Sequence, residues 1–248
     1  MHIPVLQKEV LEYLTLKPNE NFIDCTVGDG GHSLEILKAT KPSGKILGID
    51  WDEEQIKNLK LKVQNFGKNL ILVNDSYVNL KSIIERNDFK PVSGILLDLG
   101  MSSWHLEESK KGFSFQKEEI LDMRYNSENQ ITAEKIINEY SEEQIGKILK
   151  EYGEERFAKK IAKIITDERK IKPIRTTLQL VEIIKKAIPL RFNRGRIHFA
   201  TRTFQALRIA VNDELNNLKK VLAQGKDVLA EIGRIVVISF HSLEDRIV

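Results

Sequence analysis

A glycine-rich turn at residues 24–33, DCTVGDGGHS, constrains the fold of this chain more than any other feature. The turn runs from a short apolar strand, predicted at residues 21–25, into a helix predicted at residues 31–38. Gly28, Gly30 and Gly31 let the backbone approach a ligand closely, and the start of the helix offers N–H groups that have no partner within the helix. We interpret the turn as a ligand-binding loop; the alternative is a plain tight turn.

Short apolar segments alternate with helix-like segments through the first hundred residues, which predicts a parallel sheet covered by helices on both faces. The predicted strands are residues 21–25, 45–50, 70–73 and 94–99, and the predicted helices are 31–38, 52–64 and 79–86. Between about residues 104 and 198 helix-like segments dominate, at 133–138, 144–152, 155–168 and 177–187. A long helix at 203–223 and a strand at 234–240 then resume the pattern. The sequence therefore predicts an α/β sheet that is interrupted by a helical insert.

Two acidic residues close predicted strands. Asp50 ends the second strand, 20 residues after Gly30, where a carboxylate can accept hydrogen bonds from both hydroxyls of an adenosine ribose. The alternative is that Asp50 caps the helix that begins near residue 52. Asp98 ends the fourth strand, and ligands of open α/β sheets bind outside the carboxyl ends of the strands. We expect the Asp98 carboxylate to face such a site.

The spacing of the glycines bears on the kind of nucleoside cofactor. Nicotinamide enzymes use the pattern G-x-G-x-x-G, and Ser33 occupies the position of the third glycine here. S-adenosylmethionine (SAM) fits this loop better. From these residues alone the chain is predicted to be an α/β enzyme with a nucleoside cofactor, and a nicotinamide oxidoreductase is the first rival interpretation.

Charge is segregated along the insert. Residues 104–155 carry 7 basic and 13 acidic side chains, whereas residues 156–202 carry 14 basic and 3 acidic ones. The basic part contains the sequence RFNRGR at residues 191–196, whose arginines and phenylalanine suit contacts with phosphates and stacking on a base. A polyanion-binding face and a set of solvated helix faces are both compatible with this pattern.

Composition excludes several other classes. The single cysteine, Cys25, rules out an internal disulfide framework and favours a reducing, cytoplasmic location. We see no secretion signal and no apolar run of membrane-spanning length, so no membrane association is expected. The one cysteine and five histidines show no metal-ligand spacing, and no metal is predicted.

Taken together, these motifs resemble one family over nearly the whole chain: family H of the bacterial small-subunit ribosomal RNA methyltransferases. The likeness is carried by segments in a fixed order along the chain, which are HIPVL, DCTVGDGGHS, GIDWD, LLDLGMSS, GFSF, LDMR, YGEERFA, ATRTFQA and SFHSLEDR. The resemblance implies methylation of the exocyclic N4 of a cytidine in the decoding region of 16S ribosomal RNA, with SAM as the cofactor and the small ribosomal subunit as the partner.

The resemblance also implies a class I, Rossmann-like SAM-dependent methyltransferase sheet with an inserted all-helical domain. We assign residues 1–103 and 200–248 to the SAM domain and residues 104–199 to a substrate-recognition insert. The implied SAM-binding residues are Gly30, Gly31, His32, Asp50, Tyr77, Asp98 and His105. Asp98 is also the candidate catalytic residue, and the candidate substrate residues are Arg194, Arg196, Arg202, His241 and Ser242. His241 has an alternative interpretation as a structural histidine.

The chain departs from the family pattern at a few positions. The family has Pro and Gln where Trp104 and His105 stand, and it often has Pro where Phe199 stands. A histidine still forms hydrogen bonds, so these changes are expected to be tolerated. The family continues well past Val248, and its last strands are expected to come from that segment. Two further rivals are a SAM methyltransferase that acts on DNA or a small molecule and an RNA-binding module without catalysis.

Overall fold

A computed structural model describes residues 4–189 and 197–248, and the chain divides into two compact units. The first unit comprises Met1–Gly100 and Leu215–Val248, and the second comprises Met101–Glu214. This division differs from the assigned domains mainly at its second boundary. The helix Thr201–Asn212 belongs to the second unit because it packs against two other helices of that unit.

The first unit contains a five-stranded sheet in the order β3-β2-β1-β4-β5, and all four strand pairs are parallel. The strands are β1 Phe22–Asp24, β2 Ile46–Asp50, β3 Leu70–Asn74, β4 Val92–Asp98 and β5 Leu229–Ile238. Their apolar runs match the strands predicted from the sequence, except that β5 begins five residues earlier than predicted. The predicted α/β class, with a Rossmann-like sheet, is confirmed.

Helices cover both faces of this sheet. They are α1 Gln7–Leu14, α2 Gly31–Ala39, α3 Glu53–Lys62, α4 Leu80–Arg86, α11 Glu214–Val228 and α12 Ser242–Asp245, and 3-10 helices lie at Gln64–Asn69 and Tyr77–Asn79. One buried cluster joins Phe22 and Leu96 to α1, α2 and α3, and a second joins Ile23 and Leu97 to α4 and α11. Neighbouring strand residues thus alternate between two cores, as expected of a sheet buried on both sides.

The second unit is helical and has one core of its own. Its helices are α5 Ser103–Glu107, α6 Ala133–Glu139, α7 Glu142–Gly153, α8 Ala158–Ile171, α9 Thr177–Ala187 and α10 Thr201–Asn212. Within α8, Ile161 and Ile165 are fully buried, and Ile164 packs against the same core. The three residues recur at helical spacing, which accounts for their common apolar face. Among the described residues, none of the helices combines the length and the apolar composition that a membrane span requires.

The prediction of one helix over residues 203–223 is wrong. The chain forms α10 and α11 instead, and they are separated by Asp213, whose φ of 51° is left-handed. Aspartate adopts this conformation more readily than most residues. At this break the Glu214 carboxylate accepts hydrogen bonds from the Arg208 guanidinium, with N–O distances of 2.9 and 3.0 Å, and this buried pair holds the local conformation.

Candidate functional site

The glycine turn connects the end of β1 to the start of α2. Gly30 is the N-cap of α2 with φ 82°, and Gly28 has φ 46°. Both values lie in the left-handed region that favours glycine. A Cβ atom at Gly30 would lie 2.7 Å from Cδ1 of the buried Leu59. The turn therefore needs glycine at position 30 for two reasons, backbone conformation and space.

Asp50 lies at the carboxyl end of β2 and is bonded to the glycine turn. Its Oδ2 accepts a hydrogen bond from the Gly28 N–H at 2.9 Å, and its Oδ1 accepts one from the Asp52 N–H at 2.9 Å. The cap of α3 is Asp52, whose carboxylate accepts from the Glu54 N–H. The alternative interpretation of Asp50 as the helix cap is therefore wrong, and its carboxylate is positioned beside the loop.

Asp98 lies at the carboxyl end of β4, next to β1. Its backbone N–H donates to Thr26 Oγ1 at 2.7 Å, which ties the strand end to the glycine turn. Its Oδ2 lies 3.6 Å from Nε2 of the buried His32. Within the described part of the chain, His32 Nε2 and Asp98 Oδ1 are both buried and lack a hydrogen-bond partner. Buried polar atoms of this kind are costly unless something pairs with them, so the pair is a candidate contact for a polar ligand.

Asp24 is a buried residue of this site to which sequence reasoning gave no role. Its Oδ2 accepts a hydrogen bond from the Ser33 hydroxyl at 2.7 Å, and its Oδ1 accepts one from the Thr26 N–H at 3.1 Å. Burial raises the pKa of Asp24 to about 6, against the lowering effects of Ser33, His32 and Thr26. Ser33, which takes the place of a third glycine, thus holds the acid that ends β1. The sequence feature that could have identified Asp24 is its position at the end of the first predicted strand, directly before the glycines.

Tyr77 begins the 3-10 helix that follows β3. Its side chain is half-buried and packs against the core of the sheet face that faces α4 and α11. Because all the strands are parallel, Tyr77 emerges at the same sheet edge as Asp50 and Asp98. Gly31, the first residue of α2, is close-packed as well, since a Cβ there would lie 3.2 Å from Cγ of Pro4.

His241 and Ser242 follow the carboxyl end of β5. His241 is the N-cap of α12: its Nδ1 accepts from the Glu244 N–H at 3.4 Å, and its Nε2 lies 3.2 Å from Glu244 Oε1. The Glu244 carboxylate in turn accepts from the Phe240 N–H. These contacts give His241 a structural role at this edge of the sheet.

His105 and Arg202 belong to the second unit. His105 Nδ1 lies 2.9 Å from Ser102 Oγ and accepts from the Ser102 N–H at 3.2 Å, and its buried ring meets Trp104, Phe113 and Tyr125 edge-on. Arg202, in the first turn of α10, donates to the Glu154 carbonyl at 2.9 Å. The other two arginine candidates, Arg194 and Arg196, lie outside the described residues.

The predicted cofactor residues of the first unit converge at one edge of its sheet. Gly30, Gly31 and His32 follow β1, Asp50 ends β2, and Asp98 ends β4. The edge offers a glycine turn, the Asp50 carboxylate oriented by two backbone N–H groups, the Asp98 carboxylate, and the buried His32 imidazole beside it. This arrangement suits a polar, nucleoside-like ligand that carries both hydroxyl and cationic groups.

Comparison with known proteins gives matches along the whole chain. The model of the MraW methylase family matches residues 1–248. A curated protein of Acetivibrio thermocellus, named ribosomal RNA small subunit methyltransferase H, is 51% identical over all of this chain and 80% of its own length. Proteins of the same name from Clostridium botulinum and Dehalococcoides mccartyi are 49% and 47% identical over all of this chain and 79% and 69% of their own lengths.

Proposed function

The chain belongs to the MraW methylase family, and on that premise we propose that it transfers a methyl group from SAM to the exocyclic N4 of a cytidine in the decoding region of 16S ribosomal RNA. The observation that carries the proposal is the buried pair His32 Nε2 and Asp98 Oδ1, which lack partners within the described residues, beside the glycine turn. The names of the relatives support ribosomal RNA as the substrate. Action on RNA of the small ribosomal subunit would require a cytoplasmic location, which we include in the proposal.

The residues present fit SAM. Gly30 and Gly31 stand at the start of α2, where free backbone N–H groups would face a ligand, and a Cβ at these positions would crowd Leu59 and Pro4. Asp50, oriented by the Gly28 and Asp52 N–H groups, would accept hydrogen bonds from the ribose hydroxyls. Tyr77 would line the same edge, and Asp98 and His32 would hold the amino acid end. His105, in α5 of the second unit, is a cofactor candidate from the family resemblance alone, and its Nδ1 is engaged with Ser102.

When bound, SAM supplies an electrophilic methyl group on a positively charged sulfonium. The task of the protein residues is then orientation of the two reactants, which can contribute roughly 7–11 kcal/mol. The cytosine N4 amine is a poor nucleophile because its lone pair is delocalised into the ring. An Asp98 oxygen that accepts a hydrogen bond from N4–H would return electron density to the nitrogen. The proton can leave after methyl transfer, so no strong general base is required.

The helical second unit would recognise the RNA. Its residues 156–202 carry 14 basic and 3 acidic side chains, and contacts with phosphates need such an excess. Arg194, Arg196 and Arg202 are the candidates for those contacts. His241 and Ser242, at the end of β5, are candidates for contact with the base. The target cytidine must be unstacked or single-stranded to reach the cofactor edge.

The test uses isotopically labelled SAM and small ribosomal subunits from cells that lack the equivalent enzyme. The RNA is digested to nucleosides and analysed by mass spectrometry for labelled N4-methylcytidine. Appearance of that nucleoside supports cofactor, substrate and reaction together. A label on any other nucleoside would replace the N4 assignment, and binding of subunits without incorporation of label would favour a non-catalytic RNA-binding module.

A further inference from the structure

Three aromatic rings form a row on the second unit. The rings of Phe115 and His198 are stacked, with centroids 4.6 Å apart and an interplanar angle of 8°. The ring of Phe199 lies 4.2 Å from that of His198 at a tilt of 31°. We call these three side chains the aromatic row. Its members come from two separate segments, the loop before α6 and the start of α10.

One end of the aromatic row is anchored in the core. Phe115 packs against the buried cluster of the second unit and meets the buried Phe204 edge-on, at 5.6 Å between centroids. Phe199 is half-buried against the same cluster, whereas His198 is exposed. The exposed His198 ring is therefore the middle member of the row, between the anchored Phe115 and the half-buried Phe199.

The orientation of the His198 ring is fixed. Its Nδ1 accepts a hydrogen bond from the Ala200 N–H at 3.3 Å, and its carbonyl accepts from the Thr201 N–H. Partial burial lowers the pKa of the His198 imidazole, which favours the neutral ring at pH 7. With Nδ1 as an acceptor, the neutral ring carries its proton on Nε2. An ordered, neutral and exposed ring stack loses little conformational entropy when another flat ring is added to it.

Two arginines, together with Glu154 and Glu155, lie beside the start of α10. Arg202 lies in the first turn of α10, three residues after Phe199, and that turn contains no acidic residue. The Glu154 carbonyl that accepts from Arg202 lies two residues before the exposed Arg156. Exposed aromatic rings next to arginines are the combination that binds single-stranded nucleic acid, in which bases stack on rings and cations contact phosphates.

We propose that Phe115, His198 and Phe199 form a stacking site for an unpaired nucleobase of the RNA substrate. The proposal rests on the proposed function for the identity of the nucleic acid. Stacking does not select one base over another, so the site would hold the strand in place while the cofactor edge carries out the chemistry.

The experiment measures binding of the full chain to a short, fluorescein-labelled oligocytidylate and to an abasic phosphodiester chain of the same length. His198→Leu removes the stacking ring, His198→Phe keeps one, and Phe199→Leu shortens the row. Tyr13→Leu removes an exposed aromatic side chain from the first unit and serves as the matched control. Circular dichroism and SAM affinity report whether each variant is folded.

We expect H198L to weaken oligocytidylate binding by roughly 5- to 150-fold and to leave binding of the abasic chain unchanged. F199L should weaken oligocytidylate binding in the same direction, and H198F and Y13L should bind like the unaltered protein. Equal oligocytidylate affinities for folded H198L, folded F199L and the unaltered protein would overturn the stacking site. Formation of N4-methylcytidine by the unaltered protein in that case would show that the proposed function stands without it.

Discussion

The Asp50 carboxylate accepts a hydrogen bond from the backbone N–H of Gly28, at 2.9 Å between Oδ2 and N. The bond joins the end of β2 to the glycine turn after β1, across 22 residues of sequence. A second backbone donor, the Asp52 N–H, fixes the other oxygen. The carboxylate therefore has one orientation, and the proposed ribose contact and the shape of the loop depend on the same side chain.

Replacement of this carboxylate should weaken cofactor binding. Hydrogen bonds to charged groups contribute about 1.5–3 kcal/mol, so Asp50→Ala is expected to raise the Kd for SAM by roughly 10- to 150-fold in isothermal titration calorimetry. Asp52→Ala is the control, because it removes the α3 cap and should cost about 1 kcal/mol of unfolding free energy. A similar loss of SAM affinity in both variants would mean that Asp50 acts only through the local fold.

Gly30→Ala tests the shape of the turn. The new Cβ would meet Leu59 Cδ1 at 2.7 Å and would occupy a backbone conformation with φ 82°. We expect a folded but less stable protein whose SAM affinity falls at least tenfold, since the turn must move. Gly146→Ala is the matched control. Gly146 lies within α7, and a Cβ there would be at an ordinary 3.7 Å from the Cβ of Ala162. That variant should be as stable as the unaltered protein or more so. Retention of SAM affinity by G30A would show that the turn does not approach the cofactor closely.

Asp98→Asn separates the two roles proposed for Asp98. The amide keeps one oxygen acceptor and loses the charge, so SAM binding is expected to weaken sharply through the lost interaction with the amino acid end. If Asp98 also accepts from the cytidine N4–H, the single-turnover rate at saturating SAM should fall as well. A change in Kd with an unchanged rate would confine Asp98 to cofactor binding. Unchanged Kd and rate together would remove it from the site.

Much of the sheet follows from local sequence, because β1 to β4 are largely apolar runs that end in an acidic or polar residue at the ligand edge. Asp50 and Asp98 were identified for that reason, and both lie where β2 and β4 end. Two features escaped prediction because they depend on pairing across the fold. The break at Asp213 is held by the Arg208–Glu214 ion pair, and the role of Asp24 depends on Ser33 and on burial.

The buried Asp24 predicts a pH-dependent stability. Its folded-state pKa of about 6 lies above the ordinary value of 3.8, so the folded state binds more protons than the unfolded state between these values. This contribution to stability is present below about pH 4 and is lost as the pH rises through 6, by about 3 kcal/mol in all. Asparagine does not titrate, so the Asp24→Asn variant lacks this change of unfolding free energy with pH. The difference in unfolding free energy between variant and unaltered protein, from urea titrations, should therefore shift in favour of the variant from pH 4 to pH 7. A constant difference would show that Asp24 titrates normally.

The salt dependence of RNA binding tests the basic surface of the second unit. Arg156, Lys160 and Lys163 are exposed, and none of them forms an ion pair with a described acidic side chain. Each phosphate contact with a single strand adds about 0.7 to the slope of log K against log salt concentration. The double variant R156Q/K160Q should therefore lower the slope by up to about 1.4 and leave SAM affinity unchanged.

The control for this measurement is Lys57→Gln in the first unit. Lys57 is exposed but lies 2.8 Å from the Glu53 carboxylate, so its charge is already paired. Loss of the Lys57 charge should leave the slope of log K against log salt concentration unchanged. If R156Q/K160Q and K57Q give the same slope as the unaltered protein, Arg156 and Lys160 do not contact phosphates. RNA binding would then have to depend on other cations, Arg202 first among the described ones.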